Sequence, residues 1–129
     1  MNKKERYCFE TDKFKIVKDE DVETNPGIYG RELSAWLEKQ FLSLGYSIEK
    51  VLAEDWGWCI ICYDKSYLLW IGCSGEYYDE KLIWNCFAEA EKPLFSNPFK
   101  KINTKEALNK LDGELFELLN KHFSLIACL

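Results

Sequence analysis

The sequence predicts an α+β fold: a mainly antiparallel sheet of about five strands with two helices, in the order β-α-β-β-β-β-α. Two segments carry apolar residues at spacings of three and four, which is typical of amphipathic helices. Several short runs of aromatic and β-branched residues are typical of strands, and short links between them favour hairpins and antiparallel pairing. The 129 residues contain no linker, repeat or low-complexity segment, so we predict one domain over residues 1–129.

The first half of the chain is predicted to hold a strand, an acidic loop and a helix. Residues 7–17 are rich in aromatic residues interspersed with lysines, as in an edge strand. The loop after them is acidic, with Asp19, Glu20, Asp21 and Glu23. Residues 28–44 predict a helix, because Asn25 suits its start and Gly45 its end. Its apolar stripe consists of Leu33, Trp36, Leu37, Phe41 and Leu44.

The second half is predicted to hold the remaining strands and the last helix. The predicted strands cover residues 46–53, 58–63, 67–73 and 82–90, with a turn at 64–66 and a loop at 93–99. In the last of these strands one face is predicted to consist of Leu82, Trp84, Cys86, Ala88 and Ala90. The final helix is predicted to start near Asn103, because Glu106 three residues later completes a capping box.

The charge and the cysteine content limit the class of protein to which this sequence can belong. Lysine and arginine total 17 against 22 aspartate and glutamate, a net charge of −5. This balance disfavours direct binding of nucleic acid and permits a basic protein partner. The sequence shows neither a signal peptide nor an apolar run long enough to span a membrane, so we expect a cytoplasmic protein with no membrane partner. We therefore expect the six cysteines to be reduced.

The sequence contains no complete catalytic or metal-binding constellation, so we predict no enzyme activity, no metal and no cofactor. Cys59 and Cys62 have a Cys-x-x-Cys spacing, but residues three apart on a strand point to opposite faces. His122 is the only histidine and lies near a helix end, where a cation is favoured. Adjacent acids such as Glu54 and Asp55 are typical of solvated turns, whereas acid–base catalysis needs two carboxylates in one cleft.

Two segments remain as candidate partner-binding sites. The first is residues 54–58, in which Trp56 and Trp58 are expected on one face of a strand beside Glu54 and Asp55. It is interpreted either as an aromatic and acidic patch that holds arginine or lysine side chains, or as a cover over the seam between helix and sheet. The second is the predicted loop of residues 75–80, which is either a recognition loop or ordinary surface. Its candidate residues are Glu76, Tyr77, Tyr78, Asp79 and Glu80.

The middle of the chain resembles a group of small bacterial proteins to which no activity is assigned. The resemblance rests on residues 30–37 (GRELSAWL), on Gly45 and Tyr46, and on residues 54–58 (EDWGW). That group has a Gly-Arg-x-Leu-x-x-Trp-Leu helix followed by a Glu-Asp-Trp-Gly-Trp turn. The resemblance covers about residues 29–60 and implies a bacterial or phage setting and a shared core.

These observations favour a protein that works by binding another macromolecule. The most concrete hypothesis is an immunity protein that neutralises a basic bacterial toxin such as a nuclease. Acidic residues, including Asp19 and Asp21, would steer such a partner, and tryptophan and tyrosine side chains would anchor it. The alternatives are a phage-type inhibitor of a host defence complex and a regulatory module that binds a small ligand.

Overall fold

The structure, a computed structural model, describes residues 6–92 and 103–128. They form one six-stranded antiparallel sheet with two α-helices, which confirms the α+β class. The elements are β1 (Tyr7–Glu10), α1 (Arg31–Ser43), β2 (Lys50–Glu54), β3 (Gly57–Asp64), β4 (Leu68–Tyr78), β5 (Lys81–Glu91), α2 (Lys105–His122) and β6 (Leu125–Ile126). A single 3-10 turn at Glu20–Val22 lies between β1 and α1. The strand order is β2-β3-β4-β5-β1-β6, and the sixth strand is a two-residue strand after α2.

Both described helices bury their apolar stripes against one side of the sheet, which we call the helix face. The stripes contribute Leu33, Leu37 and Phe41 from α1 and Leu111, Leu115 and Leu119 from α2, all fully buried. The alternation predicted for β5 is confirmed: its predicted face, Leu82, Trp84, Cys86, Ala88 and Ala90, belongs to this core. The opposite side of the sheet, which we call the second face, has a smaller buried cluster of Cys59, Trp70 and Phe87.

The first strand is shorter than predicted and is not at the edge. It ends at Glu10, because a turn follows in which the Lys13 N–H donates to Thr11 Oγ1 at 3.2 Å. Phe14 then packs into the core from a loop. On its outer side β1 pairs with β6, so the short β6 forms that edge of the sheet. The two apolar strands β3 and β4 lie inside the sheet, as their two apolar faces predict.

Helix α1 begins at Arg31 rather than at residue 28, because a buried carboxylate holds its first turn. Glu20 Oε1 accepts the Gly30 N–H at 2.9 Å and the Arg31 N–H at 3.2 Å, and Oε2 accepts the Val17 N–H at 2.7 Å. A carboxylate at a helix N-terminus satisfies backbone donors that have no partner within the helix. Glu20 therefore anchors the acidic loop to the helix, while Gly45 ends the helix with the expected positive φ of 96°.

Two further predictions concern segments whose boundaries differ or are not described. Residues 75–78 belong to β4, so the loop predicted for 75–80 is wrong, and only Asp79 and Glu80 form the turn between β4 and β5. The loop predicted for 93–99 lies outside the described residues. None of the helices in the described part of the chain is both long and apolar enough to cross a membrane.

Candidate functional site

The ten predicted binding residues lie at one end of the sheet. Two turns lie at this end: Asp55 and Trp56 link β2 to β3, and Asp79 and Glu80 link β4 to β5. The loop before α1 is fastened to the same end, since the Asn25 N–H donates to the Asp55 carbonyl at 3.0 Å. We call this region the acidic end, and define it by Asp19, Asp21, Glu54, Asp55, Trp56, Glu76, Tyr77, Tyr78, Asp79 and Glu80.

The two tryptophans of residues 54–58 point to opposite faces, so the prediction that they share one face is wrong. Trp56 lies in the turn before β3, and its ring contacts Trp70 and Phe87 on the second face at centroid distances of 5.6 Å each. Trp58 lies in the strand and packs on the helix face, with the Arg31 guanidinium 5.8 Å from its ring centroid. Because the strand begins only at Gly57, strand alternation does not relate the two rings.

The two tyrosines of the acidic end also point to opposite faces, because both lie within β4. Tyr77 is 56% exposed and meets Tyr29 edge to face, with ring centroids 6.2 Å apart. Tyr78 is 42% exposed and lines a cavity on the second face. Burial, followed by the charges of Asp21, Tyr77 and Glu20, raises the pKa of Tyr29. Tyr29, Tyr77 and Asp21 therefore form a second group at this end, on the helix side of the sheet.

A cavity of about 240 Å³ on the second face brings Trp56, Glu76 and Tyr78 together. Its other lining residues are Arg6, Cys8, Ser74, Ile83, Asn85 and Cys128. These residues come from the start, middle and end of the chain, and β1, β4 and β5 place them side by side. Trp56 and Tyr78 supply aromatic surface, and Glu76 supplies a carboxylate for a cationic group.

A polar network forms part of the cavity wall. Asn85 Nδ2 donates to Ser74 Oγ at 2.7 Å, across the β4–β5 pair in which these two residues are direct partners. Arg6 donates to Asn85 Oδ1 at 3.1 Å and lies over the Phe87 ring, 4.6 Å from its centroid. The cavity thus contains one cation of the protein's own, already engaged by an amide oxygen and an aromatic ring.

The acidic loop contributes fewer free carboxylates than its sequence suggests. Glu20 is buried under α1, and Asp21 is partly buried and accepts the Gly27 N–H at 2.8 Å. Glu23 pairs with Arg31. Asp19 is exposed and has a left-handed backbone, with φ of 66°. Of the two predicted steering residues in this loop, Asp19 faces solvent, whereas Asp21 also holds the loop together.

The remaining acids of the acidic end are at the surface or its margin. Glu54, Asp55, Asp79 and Glu80 are exposed, and Glu76 is partly buried in the cavity wall. Burial is the main reason that the pKa of Cys59 is raised to about 12, and the charge of Glu54 adds to it. The negative charge of Glu54 therefore acts on groups of the second face, where Cys59 lies.

The expectation that all six cysteines are reduced is wrong for two of them. Cys8 and Cys128 form a disulfide with a Cα–Cα distance of 5.3 Å. The sequence separates these residues by 120 positions, and sheet pairing brings them together because β6 lies beside β1. The pairing of distant cysteines depends on fold topology, which composition does not reveal.

The other four cysteines are free and buried. Cys59 lies in the cluster on the second face and Cys62 in the core of the helix face, which confirms that the Cys-x-x-Cys pair is split by the sheet. Burial raises the pKa of Cys62 to about 12 and also raises the pKa values of Cys73 and Cys86. Protonated, enclosed thiols are poor nucleophiles.

A second cavity, of about 340 Å³, lies between the two helices beside His122. His122 ends α2, as predicted, and its ring meets Trp36 edge to face at 5.2 Å. The lining includes Glu114, Glu117 and Lys121, so the groove is polar and charges of both signs are present. Within the described residues, no group of three or more histidine, cysteine or acidic side chains is arranged to hold a metal ion.

Sequence reasoning missed several residues of the second-face cavity: Arg6, Cys8, Ser74, Asn85 and Cys128. One signal was present, because Ser74 and Asn85 are polar residues inside strands that are otherwise apolar. A polar pair in such a position needs hydrogen-bond partners or a polar cavity. Arg6 and the two cysteines gave no comparable signal, since they lie near the two ends of the chain.

Comparisons with known proteins do not add to this description. No family model matches the chain, and neither the curated proteins nor the solved structures contain a significant match. The class defined by the fold and the site is an α+β protein with an acidic, aromatic sheet end.

Proposed function

We propose that this protein acts by binding another protein through its acidic end, and that the bound surface of the partner is basic. The supporting observation is the clustering of three exposed aromatic side chains, Trp56, Tyr77 and Tyr78, among carboxylates from three separate segments. Tryptophan and tyrosine are enriched among the residues that dominate binding energy. Acids around them select a partner of opposite charge.

The charge distribution supports a basic partner. The net charge is −5, and the acids of the acidic end outnumber its nearby exposed lysines, Lys18 and Lys81. Exposed charges act over about 8 Å at physiological ionic strength, so neighbouring carboxylates reinforce one another in the field that an approaching protein meets. Association is therefore expected to be fast at low salt and slower as salt is added.

The second-face cavity offers a place for one basic side chain of the partner. Trp56 and Tyr78 present aromatic surface on which a guanidinium or ammonium group can stack, and Glu76 supplies the opposite charge. Binding of a small ligand in this particular cavity is less well supported, because its volume of about 240 Å³ falls below the roughly 300–1,000 Å³ of typical ligand pockets.

In its most specific form, the proposal is a cytoplasmic immunity protein that covers the active surface of a basic toxin, for instance a nuclease. A phage-encoded inhibitor of a host defence complex would use the same acidic surface in place of nucleic acid. Both versions need a tight, stoichiometric complex with a basic protein. They differ in the identity of that partner.

The experiment is affinity capture from the native host with the tagged full chain, washed at low and at high salt, followed by mass spectrometry. We expect one stoichiometric basic partner whose retention falls at high salt. Trp56→Ala and Tyr78→Ala are expected to lose it, and Glu76→Gln to weaken it. Phe116→Ala is the matched control, because Phe116 on α2 is exposed to the same 42% as Tyr78.

Equal capture by wild type and by all four variants would place the binding surface elsewhere. Capture of no basic partner at either salt concentration would exclude a stable complex of this kind. Circular dichroism of each variant checks that lost binding does not reflect lost folding.

A further inference from the structure

The Cys8–Cys128 disulfide holds the last strand of the sheet in place. Cys8 lies in β1, and Cys128 follows β6 by two residues. The ladder between these strands has only two residue pairs, Cys8 with Ile126 and Phe9 with Leu125. So short a strand has little independent stability. The covalent bond is therefore a major part of what fixes residues 124–128 against the sheet.

The same bond forms part of the second-face cavity. Both Cys8 and Cys128 line it, together with Trp56, Glu76 and Tyr78. Cys128 is exposed, whereas Cys8 is buried. A thiol that enters from solvent therefore meets the sulfur of Cys128 first. A bond in this position is open to chemistry in a way that a disulfide in the core is not.

The attacking thiol has to come from outside the protein. The four remaining cysteines are buried on both sides of the sheet, and burial keeps their thiols protonated. Thiol–disulfide exchange requires a thiolate that can reach the bond in line with both sulfurs. An internal rearrangement among the protein's own cysteines is accordingly disfavoured.

We propose that the Cys8–Cys128 disulfide is a site of exchange with an external dithiol, and that its reduction releases the C-terminal strand and removes one wall of the second-face cavity. One thiolate of the dithiol attacks Cys128 Sγ, forming a mixed disulfide and expelling Cys8 Sγ, which takes a proton from water. The second thiolate attacks the reagent's sulfur in the mixed disulfide and expels Cys128 Sγ. The dithiol is oxidised to its cyclic disulfide, and two protein thiols are formed.

The position of the Cys8–Cys128 bond supports exchange with an external dithiol whether or not the acidic end binds the proposed partner. Reduction changes the surface beside Trp56, Glu76 and Tyr78, so any binding at the cavity is expected to depend on the state of the disulfide. Reversible disulfides that are exposed and peripheral are the ones used for regulation, whereas structural disulfides are enclosed and resist reduction.

The experiment follows backbone amide exchange in the full chain before and after treatment with dithiothreitol, with iodoacetamide used to trap new thiols. We expect mass spectrometry to find carbamidomethyl groups on Cys8 and Cys128 alone. We also expect amide exchange in residues 124–128 to become at least about tenfold faster, because this segment loses its covalent tie. Amides in β3, β4 and α2 serve as internal controls and are expected to keep their protection. Cys128→Ser, measured without reductant, is expected to reproduce the fast exchange.

Three outcomes would overturn the proposal. The first is free thiols at Cys8 and Cys128 in the untreated protein, and the second is survival of the bond in millimolar dithiothreitol under native conditions. The third is loss of amide protection throughout the sheet on reduction, which would make the bond a structural support of the whole fold. None of these readouts uses the partner, so a failed capture experiment leaves this test intact.

Discussion

Replacing Gly57 with alanine tests the structural basis of the acidic end. Gly57 has φ of 151°, which L-residues rarely adopt, and an added Cβ would lie 2.4 Å from the Cys73 carbonyl oxygen and 2.8 Å from Ser74 Cβ. The first neighbour is backbone, so it does not move aside as the end of a flexible side chain does. The turn that carries Trp56 therefore depends on a glycine at this position.

The expected cost has two parts. Forcing a non-glycine residue into an unfavourable positive-φ conformation costs about 1–2 kcal/mol, and overpacking at a site that does not relax adds about 1–3 kcal/mol. We expect Gly57→Ala to lower the free energy of unfolding by about 3 kcal/mol. Gly45→Ala is the matched control: its φ is 96°, and an added Cβ has nothing within 4 Å. Its expected cost is the conformational part alone, about 1 kcal/mol.

Urea unfolding followed by tryptophan fluorescence measures the free energy of unfolding of both variants. The slope of this free energy against urea concentration checks that unfolding stays two-state. A cost for Gly57→Ala no larger than that for Gly45→Ala would refute the argument that the close contact with Cys73 limits this position.

The remaining predictions concern stability and pH. Gly113 lies inside α2 with nothing near its missing Cβ, so Gly113→Ala is expected to raise the free energy of unfolding by about 1 kcal/mol in urea titration. Glu80 has φ of 71° in the β4–β5 turn. Glu80→Gly is therefore expected to stabilise the protein by about 0.5–1 kcal/mol, seen as a higher melting temperature. A lower melting temperature would contradict the assignment of backbone strain to Glu80. Burial raises the pKa values of Cys59 and Cys62 from 9.0 to about 12, so their alkylation at pH 8 is expected to be about 1,000-fold slower than in urea. Because these pKa values are raised, the thiols favour the folded state below pH 9, and that contribution is lost as pH rises from 9 towards 12; denaturant titrations at pH 8 and 10.5 would detect it, and equal stability at both would count against it.

The periodic parts of the fold were predictable because periodicity depends on burial and not on the identity of the neighbour. The apolar stripes of the two helices and the alternating face of β5 follow from spacings of 3.6 and 2 residues. Each of these patterns shows which side of the helix or strand faces the core. The two apolar faces of β3 and β4 likewise predicted their places inside the sheet.

The candidate site was predictable in composition but not in geometry. The acids and aromatics cluster in three segments of the sequence, and the structure places all of them at one end of the sheet. The shared face predicted for Trp56 and Trp58 is wrong, because the strand begins only at Gly57. The loop predicted for residues 75–80 is wrong because β4 extends to Tyr78. A residue outside a strand does not follow the alternation of that strand, so spacing alone does not fix the direction of its side chain.

The sequence by itself determined the α+β class, the acidic charge, the helix stripes and the residues available for binding. Only the tertiary structure decided that Glu20 caps α1, that Cys8 bonds Cys128, and that Arg6, Ser74 and Asn85 share a cavity with Trp56. The features in the first group depend on local spacing and composition, which can be read directly from the sequence. The second depends on strand order, because β1 enters the sheet between β5 and β6 and so joins the beginning of the chain to its middle and its end.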